Sequence, residues 1–133
     1  MPPIVSPRRC VVIVLLAGLL CSCELLDNTP ETASDCSGQQ GVVADASQDM
    51  VDVLNCTNAP IYTFIVGRDT AALILWAPSV DGDGLEEGAR AAYPIDDILG
   101  GTTEEELIVF WWHSRIVDGE RTFGTVGNVL VPL

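Results

Sequence analysis

Asp118-Gly119 stands between two long β-like runs, Leu107–Val117 and Glu120–Val131. Asp-Gly suits the type I′ turn, whose twist matches that of the flanking strands, and between alternating apolar runs it is the strongest short-range hairpin signal a sequence can carry. The spacing therefore predicts one long antiparallel hairpin at the C-terminal end. Gly124 and Gly127 in its second arm predict a bulge or bend.

The preceding chain has the same character. Met50–Cys56 alternates, with Val51 and Val53 on one side. Thr57-Asn-Ala-Pro60 is turn chemistry, and Ile61–Val66 is rich in β-branched and aromatic residues before Gly67-Arg-Asp-Thr70 interrupts it. Ala71–Ala77 is a continuous apolar run ended by Pro78, and its length favours a buried strand. Val42–Met50 reads equally as a short strand or a helical turn. Leu85–Pro94 is divided between a helix, which its Glu and Ala favour and Gly88 opposes, and an edge strand over Ala89–Ile95, the preferred reading. Asp96–Gly101 reads as a turn. Thr103 and Glu106 mimic a capping box, but the β run that follows at once argues against a helix there. Short strands with spaced turns and no βαβ rhythm predict a mainly β domain, a small antiparallel β-sandwich or open barrel.

The first two dozen residues are of another kind. Arg8-Arg9 precede the apolar run Cys10–Leu20, which is too short to span a bilayer, a task that takes about 18 residues or more. A basic start, a short apolar core and small residues before a cysteine form an export-signal pattern. The arginine pair lacks the context of the twin-arginine route. The end of the run, Leu20-Cys21-Ser22-Cys23, resembles the lipobox of bacterial lipoproteins, with Leu20 at −3 and Ser22 at −1 relative to Cys23. Cys at −2 departs from the usual pattern, and Cys21 itself lacks suitable flanks. The resemblance covers residues 1–23 only. It implies a signal peptide over 1–22, acylation of Cys23, no separate cofactor and residence at the bacterial envelope. Glu24, by analogy with enteric lipoprotein sorting, implies outer-membrane transfer in a host with two membranes. The implied organisation is a signal (1–22), an acidic tether and loop (23–48) and one β domain (49–133).

Glu24–Asp35 is polar, acidic and Pro/Thr/Ser-bearing, which suits a tether. Its flexible reach is roughly 20 Å. Of five cysteines, three belong to the signal and lipobox. Cys36 and Cys56 remain as an even pair in an exported chain, so parity and compartment predict a disulfide, worth roughly 3 kcal/mol in the chain-entropy model. Six arginines face nineteen acids and lysine is absent, for a net charge of −13. Every acid lies after Cys23, and loss of Arg8 and Arg9 would make the balance more negative. Such a surface repels phosphate backbones, which excludes nucleic acid as a partner, and repels anionic headgroups, leaving membrane contact to the acyl chains.

Three groups of residues could carry chemistry. Asp81, Asp83, Glu86 and Glu87 cluster hard oxygen ligands in one loop, as calcium requires, but depart from the EF-hand spacing. Trp111-Trp112-His113, with Tyr62, Phe64 and Trp76, could stack on a sugar or other small ligand; successive residues of a strand face opposite ways, which places one tryptophan in the core. His113 is the only histidine, and no Gly-x-Ser-x-Gly or His-Glu-x-x-His occurs, so no catalytic residues are assigned. Asn55-Cys56-Thr57 fits the N-glycosylation sequon, which a bacterial setting discounts. The expectation is a lipid-anchored, non-enzymatic envelope protein whose β domain serves interaction with an envelope protein partner or structure, with a small-ligand, sugar or calcium module as the alternative.

Overall fold

The computed structural model describes residues 36–133. The expected signal peptide, Cys23 and the expected tether as far as residue 35 lie outside the described residues.

Six strands form two antiparallel sheets. β1 (Gly41–Ser47), β2 (Met50–Cys56) and β4 (Arg90–Pro94) make one in the order β1-β2-β4. β3 (Tyr62–Gly67), β5 (Glu106–Val117) and β6 (Glu120–Pro132) make the other in the order β3-β5-β6. Two short helices, α1 (Arg68–Ala71) and α2 (Ile95–Leu99), follow β3 and β4. The domain is mainly β and sandwich-like. β1 lies alongside β6 on one side. On the other side β3 and β4 are both sheet edges, and the sheets are not closed there.

The period of two explains the core. Val51 and Val53 are fully buried, and their cross-strand partners Ala46, Ala44, Tyr93 and Ala91 share that face. Leu107, Val109 and Val131 from the second sheet meet them, with Val42 and Ile61, in one cluster.

The C-terminal hairpin folds as its turn chemistry requires. Val117 pairs with Glu120, and Asp118 and Gly119 both have positive φ, 54° and 82°. The register shifts between Trp112 and Ser114, so His113 lies opposite the Gly124 region of β6, where the glycines predict an irregularity. Gly127 faces Trp111, whose indole lies so close that a Cβ at Gly127 would sit 2.6 Å from it. The absent side chain is what lets the indole lie across β6. The expected edge strand over Ala89–Ile95 is β4, and the ambiguous Val42–Met50 segment is β1 with the two-residue turn that follows it.

Two local expectations are corrected. Ala71–Ala77 is not a buried strand: Leu73 and Leu75 are 85% and 104% exposed, and only Trp76 of the central residues turns inward. The cause is remote in sequence. The Glu104 carboxylate accepts the backbone N–H of Asp69 at 2.9 Å and of Thr70 at 3.0 Å, and the Thr70 hydroxyl at 2.7 Å. It thereby satisfies the free donors of α1 and turns the chain off the line of β3. The second correction is Asp96–Gly101, whose first part is helical. Ile95, Ile98 and Leu99 recur at helical spacing and pack against the core.

Candidate functional site

The site is best built from the edge of β3. Tyr62, Phe64 and Val66 pair with Trp112, Phe110 and Ile108 of β5, which places those side chains on the face away from the main core. Trp76 covers that face. Its ring lies 4.9 Å from Phe64, 4.6 Å from Phe110 and 6.0 Å from Trp112. The segment carrying Trp76 is fixed by polar contacts further on. Trp112 Nε1–H donates to Ser79 O at 2.7 Å, and Tyr62 OH donates to Gly82 O at 3.2 Å. The Arg121 guanidinium donates to Val80 O at 2.5 Å, to Gly82 O at 2.6 Å and to the Tyr62 hydroxyl, above whose ring it lies at 5.4 Å. Ile61 and Leu85 then exchange two backbone hydrogen bonds, of 2.9 and 2.7 Å.

Between this strapped segment and β4 runs a cleft of about 560 Å³, lined by Tyr62, Phe64, Trp76 and Trp112 on one side and Tyr93 on the other, with Asp81 at its margin. A second recess of about 560 Å³ continues along β3. It shares Thr63, Phe64 and Tyr93 with the first and adds Ile65, Ile74, Ile98 and Asp97. The Thr63 and Tyr93 hydroxyls are 3.5 Å apart across the gap. The two recesses adjoin at Thr63, Phe64 and Tyr93 and are together called the groove; its lining is largely aromatic and apolar, with Asp81 in the first recess and Asp97 in the second.

The residues singled out in the sequence are dispersed. Trp112 lines the cleft and is buried. Trp111 points to the opposite face, where its ring meets His113 edge-on at 5.7 Å. His113 Nδ1 is 3.0 Å from Pro60 O, so the only histidine is engaged in packing β5 against the turn before β3. Trp111, Trp112 and His113 thus do not share one surface. Asp81, Asp83, Glu86 and Glu87 are all exposed along their loop; Asp81 accepts a bond from the Ser79 hydroxyl. Among the described residues, no group of three or more His, Cys, Asp or Glu is arranged to hold a metal ion.

Cys36 and Cys56 are joined by a disulfide, with their Cα atoms 5.5 Å apart. It ties the start of the described chain to the end of β2. Asn55, beside it, is fully buried. Its amide nitrogen donates to Ala59 O and Leu85 O, both at 2.9 Å, and its Oδ1 accepts the Thr57 N–H at 2.9 Å. Asn55 therefore holds the turn before β3 and the segment before β4 together, and so sets the mouth of the cleft.

Tyr93 and Asp97 carried no signal in the sequence, because their place in the groove depends on β4 standing across from β3. No protein-family model matches this chain, and neither curated proteins nor solved structures include one significantly similar to it.

Proposed function

We propose that this chain is a lipid-anchored bacterial envelope protein whose β domain is a non-catalytic module for holding another envelope protein. The lipobox-like Leu20-Cys21-Ser22-Cys23 supports the anchor, and the acidic stretch after it supports a tether. The single observation that carries the interaction reading is the groove between the two open sheet edges, largely apolar in its lining and made of two adjoining recesses along β3. Apolar concavities of this kind are where proteins bind partners.

Two measurements test the reading. Intact mass of the membrane fraction should give a mature chain that begins at an acylated Cys23, and Cys23→Ala should leave the precursor uncleaved or soluble. An unmodified N-terminus beyond Cys23 would end the lipoprotein reading. A photo-crosslinking residue placed in cells at Ala77 or Asp97 in the groove, or at Ile116, an exposed apolar residue near the end of β5 and outside the groove, should trap a protein of the envelope from at least one position. No crosslink from any of the three would end the interaction reading.

A second reading, a small-ligand or sugar module, draws on the aromatic lining of the first recess, Tyr62, Phe64, Trp76 and Trp112, and on a volume in the range of ligand sites. Quenching of tryptophan fluorescence by oligosaccharides, lost in Trp76→Ala, would favour it over the first.

A further inference from the structure

We propose that the outer edge of β3 is a strand acceptor, and that its occupant is an extended, lysine- or arginine-bearing segment of another envelope protein laid along Thr63–Ile65. The inference rests on the interaction reading above and names the partner chemistry of that groove.

The backbone parity of β3 is the first argument. Ile61 exchanges both of its backbone bonds with Leu85, on the side away from β5. Strand residues two apart point their backbone groups the same way, so the N–H and C=O of Thr63 and Ile65 also face the gap. Among the described residues no backbone group pairs with them there, since the Ile61–Leu85 bridge is not continued. An edge with free donors and acceptors is the template that an added strand completes. The groove along it gives an added strand somewhere to put its side chains. Phe64 and Trp76 stand on one side, and Tyr93 and Ile98 on the other. Two outward-facing residues on β3 match an incoming segment of about five residues.

Charge selects the occupant. Among the described residues, the only charged side chains lining the two recesses are Asp81 and Asp97. Arg121 of β6, which fastens the strap, is already engaged by two carbonyls and the Tyr62 hydroxyl. A second copy of this chain brings a net charge of −13 against the same sign. The chain's own 24–35 segment carries Glu24, Asp27, Glu31 and Asp35 and no cation. A cationic strand from a different protein is the complementary occupant.

The test uses the purified full-length protein in detergent and an array of heptapeptides that alternate Val and Thr, flanked by Lys, Gln or Glu. Lys-flanked peptides should bind at least tenfold more tightly than Glu-flanked ones. N-methylation of alternate peptide amides in one register should weaken binding at least tenfold, and in the other register should not. Thr63→Pro and Ile65→Pro each remove one outward N–H and leave the ladder to β5 intact, as proline permits on an edge strand; each should weaken binding at least tenfold, Thr63→Pro with the melting temperature retained and Ile65→Pro, whose side chain packs against the core, with a lower one. The N-methyl series needs no variant, so it decides the matter even where a proline variant fails to fold. No binding by any peptide, equal binding of Lys- and Glu-flanked peptides, or indifference to N-methylation each overturns the proposal. So does a concentration-dependent dimer that Ile65→Pro dissociates, or release of the groove for peptide only after residues 24–35 are deleted. Crosslinks in cells from Ile116 but from neither Ala77 nor Asp97 would overturn the strand acceptor while leaving the interaction reading standing.

Discussion

Trp112 donates its indole N–H to the carbonyl of Ser79 at 2.7 Å, across 33 residues of chain. The bond fastens the segment that carries Trp76 to the middle of β5, and so gives the groove one of its walls. Trp112 thus contributes both an aromatic surface and a polar latch, a combination available to tryptophan and tyrosine but not to phenylalanine.

Trp112→Phe keeps most of the ring and deletes the latch. It should cost roughly 1–2 kcal/mol, from a lost hydrogen bond and reduced burial. Limited proteolysis should then cut first between residues 72 and 84. A variant that resists proteolysis like the parent would mean that Arg121, Tyr62 and the Ile61–Leu85 pair hold the strap without the Trp112 bond.

Gly119→Val should destabilise by more than about 1 kcal/mol although the residue is exposed, because φ at this position is 82° and a β-branched side chain is strained there. Gly119→Asn should lose less, since asparagine tolerates the left-handed region. Equal melting temperatures for the valine variant and the parent would contradict the turn assignment.

Glu104 gives a pH signature. Backbone N–H donation from Asp69, with the Thr70 hydroxyl next, holds its carboxyl below the ordinary glutamate value of about 4.3. A depressed folded value means that the ionised form favours folding. The contribution is complete above the ordinary value and is lost as pH falls through the lower, folded one. The parent should therefore lose more melting temperature than Glu104→Gln as pH drops from about 5 to about 3. Parallel pH profiles for the two proteins would remove Glu104 from the account of α1.

Replacing Cys36 and Cys56 together by serine should cost roughly 3 kcal/mol, read as a shift in denaturant midpoint. The bond is there to lose: peptide mapping without reductant should recover the two cysteines linked, and free thiols at both positions in protein purified without reductant would contradict the disulfide.

The parts of the fold legible in the sequence are those set by neighbours in the chain or by counting. Asp118-Gly119 dictates its own turn, Val51 and Val53 betray a buried face by alternation, and Cys36 and Cys56, the two cysteines outside the lipobox-like segment, form the bridge that parity predicts. Ala71–Ala77 was illegible because its path is decided at Glu104, whose carboxylate starts α1 by binding Asp69 and Thr70 from 35 and 34 residues further along the chain. An apolar run states that it can be buried, not that a partner surface exists. The groove was half legible: Tyr62, Phe64 and Trp76 stood out as aromatics near Trp112, whereas Tyr93 and Asp97 enter only because two sheet edges face each other. Trp111 and His113 were neighbours of Trp112 in sequence and belong to the opposite face.

Asn55 sets a condition on how this protein can be made. Both hydrogens of its amide are committed, to Ala59 and Leu85, in a fully buried position. A sugar attached to that nitrogen would take one of those hydrogens and demand space where the interior has none. In a eukaryotic secretory host, where Asn55-Cys56-Thr57 reads as an acceptor sequence, glycan transfer and folding would compete for the same nascent segment. Each molecule that received the sugar first would be lost to the native state.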